Sequence, residues 1–227
     1  MRVAVVIPAH NEEASLPRVL DAIPTGLVEE VVVVDNASTD GTAAVARSRG
    51  ATLVEERRRG YGAACQAGID YLRRKRPDAV VFLDADFSDD PGEMAGLLAP
   101  LARGECDLVI GSRTLGRRER GALRPQAIAG NWLATRLIRI LYGSRFTDLG
   151  PFRAIRFERL CALGMQDRGS GWTVEMQVKA AKEGMRTAEI PVSYRRRREG
   201  ASKVTGSLAG SFRAGVAILR TILRHLG

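Results

Sequence analysis

Aromatic side chains are scarce in this chain, making up 5% of its 227 residues. Nucleic-acid binders rely on aromatic stacking or on recognisable motifs, and neither is present, so nucleic acid is not an expected partner. Histidine is rarer still, with only His10 and His225. The three cysteines, Cys65, Cys106 and Cys161, show no paired spacing. A zinc cluster and a disulfide framework are therefore excluded, and reduced thiols in a cytoplasmic protein are the expectation. Long apolar runs are missing too. None approaches the ~18 residues of a spanning helix. Val3–Ile7 meets Pro8 before it could serve as the apolar part of a signal peptide. The chain is expected to be neither secreted by the usual signal nor integral to a membrane.

Acid is in deficit: 26 aspartates and glutamates face 35 lysines and arginines, for a net charge of +9. The basic residues bunch at Arg57–Arg59, Arg73–Arg76, Arg117–Arg120 and Arg195–Arg198. Such a surface attracts polyanions, whether nucleic acid, anionic lipid or phosphorylated substrate, and charge alone does not choose among them.

What is present is an alternation of apolar runs and helical patterns. Val3–Ile7, Glu30–Asp35, Ala51–Glu55, Ala79–Asp84 and Asp107–Ile110 read as buried strands. Ser15–Ile23, Thr42–Arg49, Ala63–Arg74 and Pro91–Leu101 carry helical spacing between them. Continuous apolar strands are covered on both faces, so an α/β fold with a mostly parallel sheet is predicted. Beyond Arg113 the alternation weakens. Thr114–Leu123 reads as a mobile basic loop, Ala127–Tyr142 and Glu175–Glu183 as helices, Ile190–Tyr194 as a last strand, and Ser207–Leu226 as an amphipathic helix.

Ligands of such sheets bind beyond the carboxyl ends of the strands. Five polar loops fall there: Pro8–Glu12, Asp35–Asp40, Arg57–Gly62, Asp84–Asp90 and Gly111–Arg113. Asp84 and Asp86 are two carboxylates at i and i+2 after a buried strand. That pair suits a divalent ion such as Mg²⁺ or Mn²⁺, whose remaining ligands come from water and substrate phosphates. Asp35 ends the second strand and is a candidate acceptor for a nucleotide base, with a helix-capping role as its structural alternative.

The runs Val6-Ile7-Pro8-Ala9-His10-Asn11-Glu12-Glu13, Val32-Val33-Val34-Asp35-Asn36-Ala37-Ser38-Thr39-Asp40-Gly41-Thr42 and Asp84-Ala85-Asp86 resemble glycosyltransferase family 2 in order and spacing. Gly60-Tyr61-Gly62-Ala63-Ala64, Gly111-Ser112-Arg113, Asp148-Leu149-Gly150-Pro151-Phe152-Arg153, Glu175-Met176 and Ser202-Lys203 are similar to its dolichyl-phosphate mannose and glucose synthase branch. The resemblance implies an inverting, metal-dependent hexosyltransferase of the GT-A fold, with a Rossmann-like sheet. It implies a catalytic domain over 1–206, in which 1–113 binds nucleotide sugar and 114–206 the acceptor, followed by a basic amphipathic helix over 207–227. Pro8, Ala9, Glu12, Asp35, Gly62, Asp84, Ala85 and Asp86 would bind the donor, a nucleotide diphosphate sugar such as UDP-glucose or GDP-mannose. Asp84 and Asp86 would hold the metal. Arg113 would meet the donor or acceptor phosphate, and Arg113, Arg124 and Lys203 would grip a polyprenyl phosphate at the cytoplasmic membrane face. Two positions depart from the branch: Ser88 stands where mannose-transferring relatives usually have Gln, and Gly150-Pro151 where Ser-Gly is frequent. Both bear on sugar choice and loop shape.

A phosphate monoester has its second pKa near ~6, so it is already an anionic nucleophile at neutral pH. The enzyme then needs cationic grip and leaving-group stabilisation more than a base, which suits abundant arginine and two histidines. Glu175 is the remaining carboxylate if a base is required, with favourable placement at a helix N-terminus as the alternative reading. Leu208, Phe212, Val216, Leu219, Leu223 and Leu226 interleave with Arg213, Arg220 and Arg224. Trp132, Leu133, Leu137, Ile140 and Leu141 interleave with Arg136 and Arg139. Both segments suit a membrane surface, with core packing or a homodimer contact as alternatives. Three other functions compete with the leading one. Transfer to a soluble or headgroup hydroxyl is one. Sugar nucleotidyl transfer, which calls for a glycine- and arginine-rich first loop, is disfavoured by Pro8-Ala9-His10-Asn11-Glu12. A nucleic-acid module is disfavoured by the aromatic scarcity.

Overall fold

A computed structural model describes residues 1–197 and 208–225 of the chain. Seven strands run β1 Val3–Ala9, β2 Glu30–Asp35, β3 Thr52–Glu55, β4 Ala79–Phe82, β5 Leu108–Ser112, β6 Arg153–Arg156 and β7 Thr187–Pro191. They form one sheet in the order β3-β2-β1-β4-β6-β5-β7. Every pairing is parallel except those of β6, which runs antiparallel between β4 and β5. The helices are α1 Leu16–Ala22, α2 Thr42–Ser48, α3 Tyr61–Lys75, α4 Met94–Ala102, α5 Pro125–Tyr142, α6 Phe157–Leu163, α7 Trp172–Lys182 and α8 Leu208–Arg224.

β1, β2, β4 and β5 are mostly apolar because both faces of the sheet are covered there. Side chains alternate across the pleat. Val3, Val5 and Ile7 of β1 join Val33, Val81 and Val109 in a core closed by α1, α2 and α4. Ala4 and Val6 point the other way, joining Val32, Val34, Val80 and Phe82 in a core closed by α3, α5, α6, α7 and α8. Val6 and Val34 lie so near Gly68 of α3 that an added Cβ would come within 2.6 Å of Val6. Glycine there lets the helix settle onto the sheet.

Two differences from the sequence reading matter for the site. The first is β6, which the pattern does not announce. Its four residues, Arg-Ala-Ile-Arg, begin and end in arginine, so no apolar run marks them. Arg153 is fully buried all the same. Its guanidinium donates to the carbonyls of Leu149, Gly150 and Thr173 and to Gln177 Oε1. Because β6 runs backwards, the loop before it arrives at the edge where β1, β2, β4 and β5 end. The second concerns Thr114–Leu123, which the sequence suggested was mobile and which the structure docks. Tyr194 N donates to Arg117 O at 2.8 Å, and Glu119 N donates to Tyr194 O at 2.9 Å.

The last helix packs on the body rather than standing apart. Ile222 is fully buried, and the Tyr142 hydroxyl reaches its carbonyl at 2.5 Å. Among the described residues no helix is long and apolar enough to cross a membrane.

Candidate active site

Loops after β1, β2 and β3 are stitched to one another. Asn11 N donates to Ser38 Oγ at 3.0 Å, Thr39 N to Asn11 Oδ1 at 2.8 Å, and Glu12 N to Thr42 Oγ1 at 2.8 Å. Asn36 Nδ2 donates to the carbonyls of Glu56 and Arg58, while its Oδ1 accepts from Gly60 N at 2.8 Å. Ser15 Oγ ties the first loop to the fourth, donating to Ala85 O at 2.8 Å. These cross-ties hold strained backbone. Asn11, Ala37 and Phe87 have φ of 53°, 57° and 60°, and each lies in a loop leaving a strand at this edge. Non-glycine residues rarely adopt such angles, and where they cluster the surroundings enforce them.

Asp84 and Asp86 project from the loop after β4. Asp84 Oδ1 is sealed from solvent with no hydrogen-bond partner, and so are both oxygens of Asp89. Burial, reinforced by the Asp86 charge, pushes the Asp84 carboxyl up to about 7. Burial and the Asp84 charge push Asp89 well above the usual carboxylate range. The Tyr61 hydroxyl lies beside Asp84 without closing a hydrogen bond. Buried carboxylates without donors are costly. A divalent cation would relieve that cost, and the donor set is all oxygen, as Mg²⁺ and Mn²⁺ prefer. Among the described residues no three potential ligands converge. A cation on Asp84 and Asp86 would therefore complete its shell from water and a diphosphate.

Cations face this acidic floor. Arg113 makes a two-pronged pair with Asp148, Nε to Oδ2 at 2.8 Å and NH2 to Oδ1 at 2.7 Å. Its guanidinium lies 5.0 Å over the Tyr194 ring. Burial alone would weaken the Arg113 charge, but the Asp148 hydrogen bonds and charge outweigh it and hold the group firmly protonated. Asp148 comes from the loop before β6. Arg197 donates to both carboxylate oxygens of Glu12 and lies 3.3 Å from Asp86 Oδ2.

A cleft of about 1030 Å³ joins these groups. Pro8, Ala9, Glu12, Asp84, Ala85, Asp86, Arg113 and Arg124 line it, eight of the residues singled out from sequence. Asn36, Tyr61, Asn131, Tyr194 and Arg197 line it as well and were not singled out, as does Ser88, noted from sequence only as a departure bearing on sugar choice. Asn36 and Tyr61 stand inside quoted motifs. Tyr194 ends the segment read as a last strand, and Arg197 stands in a run whose pattern shows only basic charge.

Three candidates fall elsewhere, and Lys203 lies outside the described residues. Asp35 is not on the cleft wall; its Oδ1 accepts from Ser38 N at 3.1 Å, fixing the loop after β2. It caps no helix, because the residue before α2 is Gly41. Gly62 is also off the wall. Its backbone presses on Asp167, where an added Cβ would meet a carbonyl at 2.1 Å. Glu175 departs most from expectation as a catalytic group. It is 1% exposed and lies outside the cleft lining. It accepts from the amides of Gln166 and Asp167 at 2.9 and 2.7 Å and pairs with Lys179 at 2.8 Å. Its carboxylate anchors the 166–169 loop, on which Gly60 and Gly62 rest at the start of α3, the helix from which Tyr61 reaches the cleft.

Comparisons with known proteins place the chain among glycosyltransferases. An uncharacterized glycosyltransferase of Mycobacterium tuberculosis is 44% identical over 96% of this chain and 94% of its own length. Undecaprenyl-phosphate mannosyltransferase of Micrococcus luteus is 34% identical over 92% of this chain and 90% of its own. Among solved structures, glucosyl-3-phosphoglycerate synthase of M. tuberculosis, in complex with Mn²⁺, UDP and phosphoglyceric acid, superposes with a TM-score of 0.78. It is 25% identical and covers 100% of this chain and 78% of its own. The family model for glycosyl transferase family 2 matches residues 4–162. With that match, a GT-A-like sheet and an acidic floor beneath arginines, the chain belongs to glycosyltransferase family 2.

Proposed function

We propose that this enzyme moves a hexose from a nucleotide diphosphate sugar to a polyprenyl phosphate at the cytoplasmic face of a membrane. The observation that carries the reading is the division of charge along one cleft. Asp84, Asp86 and Glu12 form one part, with Arg197 paired to the last two; Arg59, Arg113, Arg124 and Arg196 line the rest. The acidic part suits a cation-bound diphosphate, and the arginines suit a second, phosphate-bearing substrate. The relative from M. luteus, an undecaprenyl-phosphate mannosyltransferase, supports that acceptor class.

Asp84 and Asp86 would hold Mg²⁺ or Mn²⁺. The ion supplies charge neutralisation for the departing nucleoside diphosphate. The chain's own residues do the rest. Glu12, Pro8 and Ala9 shape the donor end. Asp35 fixes the nucleotide loop through Ser38. Arg113, oriented by Asp148, presents a firmly charged guanidinium to a phosphate. An acceptor phosphate has already lost most of its second proton at neutral pH, because that pKa is near ~6. No general base is needed, which fits a Glu175 whose oxygens are occupied elsewhere.

A second reading has its own support. Glucosyl-3-phosphoglycerate synthase, the structural relative, was solved with phosphoglyceric acid, a small soluble phosphate. Labelled UDP-glucose and GDP-mannose, each offered with undecaprenyl phosphate and with 3-phosphoglycerate, separate the two. Label that moves into the organic phase with undecaprenyl phosphate is the expected result. Label that stays aqueous as a phosphoglycerate conjugate overturns the lipid acceptor. Glu175→Gln should keep near-normal turnover in whatever fraction folds; loss of transfer in a folded variant would restore a general base and a hydroxyl acceptor.

A further inference from the structure

Helix α5 exposes a second apolar face, away from the core. Ala134, Thr135 and Ile138 face the core. The opposite side carries Ile128, Trp132, Leu133 and Ile140, with Trp132 60% and Ile140 75% exposed. Ile128, Trp132 and Ile140 lie four and eight residues apart, along one side of a helix, with Leu133 beside them. The polar members of that outer face are arginines: Arg136, whose guanidinium lies 5.5 Å over the Trp132 ring, and Arg139. Helix α8, packed beside α5, exposes Val216 at 48% and Leu223 at 56%, with Arg220 and Arg224 also exposed. Neither helix contains a single aspartate or glutamate over Pro125–Tyr142 or Leu208–Arg224.

Contiguous exposed apolar surface on a soluble body marks an interaction site. Charge selects the occupant. A second copy of this chain would bring arginine-rimmed faces together and would itself carry a net charge of +9. An anionic bilayer accepts both features: tryptophan and aliphatic side chains enter the headgroup boundary while arginines stay with phosphates. The same two helices wall the cleft from the other side, through Gln126, Gly130 and Asn131 of α5 and Gly215 and Ile218 of α8. The face that would meet lipid and the cleft that would receive a lipid-borne phosphate are thus two sides of one pair of helices.

We infer that the outer face of α5, extended by Val216 and Leu223 of α8, is a docking surface for an anionic lipid bilayer. Trp132 is its central insertion point. The surface brings the cleft to a lipid-anchored acceptor, and to that extent the inference rests on the polyprenyl-phosphate reading above. Docking combines apolar insertion with arginine attraction, so it weakens with added salt but does not vanish.

The two tryptophans make the test direct, since Trp172 is fully buried and Trp132 is not. The full chain is mixed with vesicles of phosphatidylglycerol and phosphatidylcholine whose acyl chains are brominated. Emission from Trp132 should shift to the blue and be quenched, and Trp132→Phe should abolish the quenching while vesicles still bind. The double variant Trp132→Glu, Ile140→Glu should bind such vesicles about tenfold or more weakly with an unchanged melting temperature. Vesicle binding that leaves Trp132 unquenched, or that the double variant retains, overturns the assignment. So does sedimentation showing a lipid-free dimer that Trp132→Glu dissociates. Transfer to a short-chain, water-soluble polyprenyl phosphate needs no docking and should survive in the double variant. If the wild type docks through Trp132 yet uses no polyprenyl phosphate, the acceptor reading fails and the docking surface stands.

Discussion

Where β1, β2 and β4 stop, the cleft is built from short loops tied to one another, holding Asn11, Ala37 and Phe87 at positive φ and sealing carboxylates without hydrogen bonds. Where α5 begins, it is built from a basic loop hung on Tyr194, from Gln126, Gly130 and Asn131 of α5, and from arginines. The first part stores strain and charge repulsion, which a small, well-defined ligand can relieve. The second stores little, and it presents surface. A donor of fixed shape needs the former, and an acceptor delivered by a larger body needs the latter. Substitutions in the two parts should therefore fail in different ways.

The sharpest separation comes from the acidic floor. Asp86→Asn should cut turnover by about a thousandfold, the scale of losing a dedicated electrostatic stabiliser, while the fold survives. Asp84→Asn should be equally inactive yet melt at a higher temperature than the wild type, because it removes a buried, repelled carboxylate. Radiolabel transfer and differential scanning fluorimetry measure both. An Asp84→Asn protein that melts lower would mean that the floor stabilises the fold instead of straining it.

Next in size is the pair that joins the two parts. Arg113 and Asp148 are 13% and 1% exposed, so removing one partner strands a buried charge. Asp148→Ala should destabilise by about 3–5 kcal/mol, as for other broken buried pairs. It should also weaken phosphate-bearing substrates by freeing Arg113 from its fixed orientation. Urea denaturation gives the first number. A loss under about 1 kcal/mol, the range of surface pairs, would show that solvent compensates the pair.

This contrast also explains what the sequence disclosed. The loops beyond β1, β2 and β4 were legible because each follows its own strand within a few residues. Strand-then-loop patterns such as Val32–Asp35 into Asn36–Thr42 place their residues without knowledge of the rest. The mostly parallel sheet was legible for the same reason. β6 was not, since Arg153 is buried through hydrogen bonds to carbonyls instead of through apolarity. The Arg113–Asp148 pair depends on β6 running backwards, and the Arg197 contacts with Glu12 span 185 positions. No local pattern encodes such meetings. Glu175 kept two readings in the sequence because a helix-start carboxylate looks alike whether it faces a cleft or, as here, a neighbouring loop's amides.

A milder effect follows from the raised pKa of Asp84. The carboxyl ionises near 7 in the folded chain and near 3.8 as a free side chain. The folded form therefore holds the extra proton between those values, and its stability declines as pH rises from the lower to the higher. A cation must displace that proton. Mn²⁺ affinity should fall about tenfold per pH unit below 7 and level off above it. Electron paramagnetic resonance titrations of free Mn²⁺ read this directly. An affinity flat from pH 5.5 to 7 would mean that Asp84 does not ligate the metal.

The smallest expected effect concerns a cation already paired with the acidic floor. Arg197 reaches Asp86 at 3.3 Å and both oxygens of Glu12, with 17% of its side chain exposed. It therefore partly neutralises the group that a metal would occupy. Arg197→Gln removes a positive charge beside the site, so Mn²⁺ should bind the nucleotide-free protein more tightly. The surroundings are only partly screened, but Glu12 and Asp86 also lose the donor that orders them. A gain of about 1 kcal/mol, roughly fivefold in affinity, is the expected balance. The gain should shrink when a nucleoside diphosphate is present, because its phosphates supply ligands of their own and attract Arg197 away from Glu12. Mn²⁺ titration of both proteins, with and without nucleotide, tests the two halves separately. Unchanged or weaker binding in Arg197→Gln without nucleotide would show that the arginine orders the carboxylates rather than competing for them. The acidic floor would then be shaped from the acceptor side of the cleft, and the division between the two parts would be less complete than their hydrogen bonding suggests.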